Sequence, residues 1–221
     1  MFIIAELQFQ VNWKTMKNPV ILIGFVSFLI VQIACQSSNS AAGLPTPTPE
    51  TPKIIADTFA YPVGKTEFVT QKKDKTDDWY NAQDFTVNNH LGEDWNLNSG
   101  GNTDCGEPVY AVANGTITYA KDAGTGWGNV VIITHDLPDG KKVQTLYGHL
   151  DKILKTEGIV KKREQIGTVG NASGTYLCHL HFELRDQTCL SWNEVFVGYS
   201  PITSGWLDPS DFIDKNSDKI N

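Results

Sequence analysis

Hydrophobic residues along residues 57–221 fall in short runs rich in β-branched and aromatic side chains, punctuated by Gly, Asn and Asp. Residues 107–120 (EPVYAVANGTITYA) read as two alternating runs joined by Asn114-Gly115. That pair suits a tight hairpin turn because both residues tolerate positive φ. Residues 129–134 (NVVIIT) and 142–150 (KVQTLYGHL) predict a second hairpin across Leu137-Pro138-Asp139-Gly140, and residues 166–169 and 179–184 supply two more strands. Outside the N-terminal region no segment sustains a 3.6-residue period for more than a turn or two. The pattern predicts an all-β domain, an antiparallel and sandwich-like sheet with short hairpins and little helix.

Residues 20–34 (VILIGFVSFLIVQIA) break this pattern with a continuous apolar run behind Lys14 and Lys17. The run is short of the roughly 20 apolar residues of a membrane span and has the order of a secretory signal: basic, then apolar, then small. Cys35 follows Ala34 and precedes a polar stretch, QSSNSAAG, which resembles the signal of a bacterial lipoprotein whose Cys is lipidated and becomes the new N-terminus. Gln32 departs from the aliphatic residue usual three positions before such a Cys. The alternatives are an ordinary signal peptide with a leftover Cys, or a short membrane anchor. Met16 is an alternative start, since residues 1–15 add nothing a signal needs. In residues 35–56, Pro45, Pro47, Pro49 and Pro52 alternate mostly with Thr, which makes a stiff extended tether. The expected division is a signal at 1–34, a lipidated Cys and tether at 35–56, and a domain at 57–221.

The formal charge is −7, with 40% hydrophobic and 19% charged residues. Removing residues 1–34 takes away only Lys14, Lys17 and Glu6, so the acidity belongs to the domain. An acidic balance argues against a nucleic-acid or anionic-lipid binder, either of which needs a clustered basic face. Ten Phe, seven Tyr and six Trp supply the apolar surface of a folded core.

With five His and four Cys in the chain, each position can be weighed singly. His90 and Asp94 are four apart in HLGED, and His179 and His181 two apart in HLH. Even spacing on an extended chain puts both members of a pair on one face. His149 sits in LYGHL, near the end of a predicted strand. Polar pairs on a strand face cost burial energy unless they have partners. Three His or Asp ligands with one position left for water make a catalytic zinc site, in which bound water becomes acidic near pH ~7 and further imidazoles orient it. No CxxC pair offers a closed thiolate site, and the absence of HExxH excludes a helical Glu as general base. His135, in THD, is expected only at a hairpin.

The ordered set HLGEDW (90–95), GEPVYAVANG (106–115), GWGNVVIITH (126–135), LYGHL (146–150), IGTVG (166–170) and HLHFE (179–183) closely resembles the lysostaphin-type (LytM, β-lytic) zinc metallopeptidases of bacterial cell walls. The resemblance covers about residues 59–213 and ends in WLDPSDFI (206–213). It implies one zinc ion per chain held by His90, Asp94 and His181, with His149 and His179 as the non-ligand catalytic pair. It further implies an endopeptidase acting on peptidoglycan stem peptides or cross-bridges, expected as a monomer, and the lipoprotein-like signal adds an extracytoplasmic, lipid-anchored place in the bacterial cell envelope. The competing functions are a catalytically silent module that activates a cell-wall amidase, and a zinc protease acting on secreted proteins.

Several residues keep two readings. Glu183 either accepts a hydrogen bond from the HLH face or forms a solvated salt bridge. Tyr147, Trp95 and Trp127 either line the groove or pack in the core. Cys105, Cys178 and Cys189 make one disulfide and one free thiol, with the pairing open, and alternation points Cys178 away from the His179 and His181 face. Residues 67–85 either cover the groove as a lid or decorate the fold.

Overall fold

A computed structural model of the chain describes residues 53–64 and 79–218. The proposed signal, Cys35, tether residues 35–52 and the first part of the proposed lid, 67–78, lie outside the described residues. Among the described residues eleven strands run in chain order: β1 (Trp79–Gln83), β2 (Glu93–Leu97), β3 (Pro108–Tyr110), β4 (Gly115–Asp122), β5 (Asn129–Asp136), β6 (Lys142–Leu150), β7 (Lys152–Ile153), β8 (Gly158–Val160), β9 (Gln165–Thr168), β10 (Leu180–Asp186) and β11 (Trp206–Leu207). The main sheet has the order β1-β2-β10-β6-β5-β4-β8, with β11 also on β10, and β3-β9-β7 form a second, three-stranded sheet. Every pairing between these strands is antiparallel. The fold is therefore all-β, as the alternation predicts.

The β5–β6 hairpin forms where the sequence places it, closing at Asp136↔Lys142. The one expected across Asn114-Gly115 does not. β3 pairs with β9 in the small sheet, whereas β4 pairs with β5 and β8 in the large one, so 107–120 crosses between sheets. The Asn-Gly pair serves another purpose. A Cβ on Gly115 would lie 2.6 Å from Ile133 and 2.7 Å from the Thr134 carbonyl, so glycine lets β4 start in contact with β5. Asn114 bridges two segments instead of turning: its Nδ2 donates to the Ile55 carbonyl and its Oδ1 accepts from the Lys162 amide.

The continuous apolar run of β5 is explained by burial on both faces. Val131 and Ile133 enter the main core with Trp95, Tyr147, Phe182 and Leu184, while Val130 and Ile132 pack with Leu146 under Trp127 and Val195. Each such side chain contributes roughly 1.5–3 kcal/mol when fully buried. Trp95 and Tyr147 are thereby core residues, not groove residues. The α-helix α1 (Pro209–Asn216) closes the chain over this core; its Asp208 side chain caps the Asp211 amide and Pro209 sits in the first turn. These are ordinary start signals in WLDPSDFI. Among the described residues no helix is long and apolar enough to cross a membrane.

His135 lies fully buried in this core. Its Nδ1 is 2.8 Å from the Asn114 carbonyl, which can only accept, so Nδ1 carries the proton and Nε2 accepts from the Thr145 hydroxyl. Burial holds the imidazole neutral and pushes its pKa down to about 4. The unfolded chain takes up this proton near pH ~6.5, so the stabilisation is whole above that pH and is lost as pH falls toward 4, by about 3 kcal/mol in total. Urea melts of the parent and His135→Gln between pH 7 and 4.5 are expected to show a clearly shallower acid loss in the variant. Parallel pH curves would exclude His135 as the source.

Candidate metal centre

Four local devices bring the site together. A 3₁₀ turn at Val87–Asn89, with positive φ at Thr86, Asn88 and Asn89, delivers His90 just before β2. Asparagine tolerates that region better than most residues. His90 and Asp94 therefore do not share one strand, as even spacing alone predicts; the turn brings His90 Nε2 to 3.3 Å from Asp94 Oδ1 on β2. His181 lies on β10 opposite Asp94. His149 lies on β6 with φ of 62°, an uncommon conformation for a non-glycine residue. Gly170 makes this possible from behind: a Cβ there would sit 2.5 Å from the His149 carbonyl, so only glycine lets the two backbones touch.

His90 Nε2, Asp94 Oδ1 and His181 Nδ1 form a group able to hold a metal ion. His181 Nδ1 is 2.9 Å from His90 Nε2 and 3.1 Å from Asp94 Oδ1, and its Nε2 is 3.0 Å from Glu183 Oε1. Burial alone would keep His181 neutral, but hydrogen bonds to Asp94 and Glu183 outweigh it and push the pKa up to about 9. Asp94 shows the converse: burial opposes its ionisation, yet His181 and His90 hold its carboxyl below the usual range. The centre of the triad thus demands positive charge. With one proton on His181 Nε2 held by Glu183, Nδ1 is the lone pair aimed at Asp94 and His90, and the donor set fits a divalent ion that takes nitrogen and oxygen ligands.

Glu183 is buried rather than solvated. Its Oε2 accepts from Arg185 Nε and Nη2 and from Trp206 Nε1. Burial disfavours the carboxylate, but the guanidinium beside it keeps the group ionised. Arg185 is itself held by the Ser191 and Glu194 carbonyls. The stripe His181, Glu183, Arg185 is therefore a buried relay that fixes the tautomer of His181.

His149 and His179 sit beside the triad with ring centroids 4.7 Å apart. His149 Nδ1 donates to the Trp127 carbonyl (3.2 Å) and His179 Nδ1 to the Leu177 carbonyl (2.9 Å). A carbonyl cannot donate, so each ring carries its proton on Nδ1 and keeps Nε2 as its acceptor, that of His179 lying 3.7 Å from Asp94 Oδ1. Burial, reinforced by the neighbouring imidazoles of His181 and His179, pushes the His149 pKa down to about 3. The cleft encloses about 360 Å³ and is walled by Gln83, Trp127, Tyr176 and Tyr199 around Asp94 and the three histidines His149, His179 and His181. Tyr199 also lies 5.0 Å from the His90 ring, centroid to centroid, and its hydroxyl approaches Gln83 Oε1 at 3.4 Å.

Of the described cysteines, Cys105 and Cys178 form the disulfide and Cys189 is the buried free thiol, which removes Cys178 from any ligand role. Sequence reasoning missed Arg185, Gln83, Tyr176 and Tyr199. Arg185 was detectable as the next member of the alternation 179, 181, 183. The walls of the cleft come from loops and an edge strand that carry no such period.

The pattern of peptidase family M23 matches residues 88–193. An 80-residue stretch is 42% identical to the DD-carboxypeptidase/endopeptidase Mpg of Neisseria meningitidis serogroup B (strain ATCC BAA-335 / MC58), covering 36% of this chain and 17% of that protein. Another of 81 residues is 38% identical to lipoprotein NlpD of Yersinia enterocolitica, covering 36% of this chain and 78% of that one. A third, also of 81 residues, is 36% identical to the murein hydrolase activator NlpD of Salmonella dublin, covering 36% and 20%. The chain thus spans under a fifth of the Neisseria relative, and residues 88–193, matched by the family pattern, carry the triad and the histidine pair. Over that segment, the chain belongs to peptidase family M23.

Proposed function

We propose that this chain is a zinc-dependent endopeptidase that hydrolyses peptide bonds in bacterial peptidoglycan, in stem peptides or cross-bridges, from the cell envelope, where a lipid on Cys35 anchors it. The observation that carries this reading is the pair of imidazoles, His149 and His179, each presenting Nε2 beside a triad of His90, Asp94 and His181 in an open cleft. A chain that only docks to a partner has no use for two oriented proton acceptors there.

His90 Nε2, Asp94 Oδ1 and His181 Nδ1 would hold the zinc ion. When bound, the ion supplies a Lewis acid that polarises a peptide carbonyl and makes a water molecule acidic. Glu183 keeps the second His181 nitrogen protonated, so that Nδ1 remains a ligand. The Nε2 atoms of His149 and His179 accept hydrogen bonds from water in the cleft. The imidazole that takes the proton becomes a donor, first to the carbonyl oxygen as negative charge builds on it and then to the departing nitrogen. Trp127, Tyr176 and Tyr199 hold the peptide between them.

The alternative, a silent module that activates a cell-wall amidase, is favoured by the likeness to the Salmonella activator. Purified peptidoglycan treated with zinc-loaded protein separates the two. We expect release of peptide fragments with new amino termini, loss of that release with a chelator, and its return when zinc is restored. Intact peptidoglycan together with stimulation of an added amidase would replace the peptidase reading, and cleavage of an unfolded protein substrate in preference to peptidoglycan would move the substrate to secreted proteins.

A further inference from the structure

We propose that Asn102 is a positioning residue for His179, acting through the peptide plane between Leu177 and Cys178. The proposal rests on the reading of His179 as one of the two catalytic imidazoles. A trans peptide holds its N–H and C=O on opposite sides of one rigid plane. The N–H of this plane, on Cys178, donates to Asn102 Oδ1 at 2.9 Å. Its C=O, on Leu177, accepts the Nδ1 proton of His179, also at 2.9 Å. The amide oxygen of Asn102 is fixed as the inward atom, because a backbone N–H needs an acceptor. Holding one end of the plane therefore aims the other at the imidazole.

The same residue is tied from two further directions. The Cys178 carbonyl accepts from Asn96 Nδ2, whose amide also donates to Asp104 Oδ2. The Cys178 side chain is joined to Cys105. The segment 96–105 thus grips Cys178, which is 1% exposed, while the residue before it, Leu177, is 62% exposed. That loop carries positive φ at Ala172, Ser173 and Gly174. Without the grip, the plane is the last link of an exposed loop and can rotate. A rotated plane offers an N–H to His179 Nδ1 in place of a carbonyl. The imidazole proton then moves to Nε2, and the cleft receives a donor where it needs an acceptor.

The test compares full-length, zinc-loaded Asn102→Ala with Asn102→Asp, which keeps an acceptor oxygen at the same reach. Long-range proton–nitrogen spectra of the histidine rings, taken also on metal-free protein, are expected to show His179 protonated on Nδ1 in the parent and Asn102→Asp, and partly or wholly on Nε2 in Asn102→Ala. On a peptidoglycan peptide, kcat is expected to fall about 10- to 100-fold in Asn102→Ala, with KM within about twofold, unchanged zinc content, and recovery in Asn102→Asp. If Asn102→Ala does not fold, Asn102→Ser, whose shorter side chain does not reach the Cys178 amide, is expected to show the same proton shift. An unchanged His179 tautomer, or, where the parent cuts peptidoglycan, equal kcat in the Ala and Asp variants, would overturn the proposal. The ring spectra decide it even if no peptidoglycan is cut, so failure of the peptidase reading and failure of this one remain distinct.

Discussion

Replacing His181 by alanine is expected to give a folded chain that no longer retains zinc and whose peptidoglycan hydrolysis falls on the order of 10³-fold or more, about 4 kcal/mol of transition-state stabilisation. Three contacts meet at this one ring. Nδ1 faces His90 and Asp94, and Nε2 faces Glu183, so truncation removes a ligand and also the link between the ligand set and the buried Glu183–Arg185 pair. The fold is expected to survive, because Glu183 keeps three other hydrogen bonds, from Arg185 and Trp206, and leaving Oε1 without its donor costs roughly 1–3 kcal/mol. Zinc content by elemental analysis and fragment release by mass spectrometry are the measurements. Activity at the parent level in His181→Ala would mean that hydrolysis is run from somewhere other than this triad. Full zinc retention with lost activity would mean that His181 serves the reaction without being a ligand.

Local spacing offers His90 with Asp94 and His179 with His181 as pairs and His149 near the end of a strand, but the division of the five into a triad and a separate histidine pair cuts across HxH and is implied only by the family resemblance. The strands around them are legible locally, since β5, β6, β9 and β10 alternate or run apolar over their observed lengths. What alternation does not encode is which sheet a strand joins. Residues 107–120 have the pattern of a hairpin, yet β3 leaves for the small sheet because its partner, β9, lies more than fifty residues on and nothing local marks it. Solvent exposure is also hidden: Glu183 looks like a surface carboxylate until Arg185 and Trp206 are seen to enclose it. The disulfide is similar, since the approach of Cys105 to Cys178 depends on the segment after β2 meeting the residues just before β10, while three cysteines alone allow three pairings.

Changing His149 to asparagine is expected to lower kcat by about 10²- to 10⁴-fold with zinc content unchanged and KM little affected. Asparagine is chosen because position 149 has φ of 62°, a conformation that Asn adopts with less strain than most residues, so the backbone that carries the cleft wall is kept. What is lost is the Nε2 acceptor, held in place by the Nδ1 bond to Trp127, and with it the proton transfer that a carboxamide cannot perform. A fall in kcat at constant zinc separates this residue from the ligands, whose loss removes both. The companion His179→Ala is expected to act on the same step, so the double variant should lose much less than the product of the two single losses. If the losses multiply, the two imidazoles act independently. If His149→Asn retains kcat within about threefold, the imidazole has no part in the chemistry and its unusual backbone serves only to close β6 against Gly170.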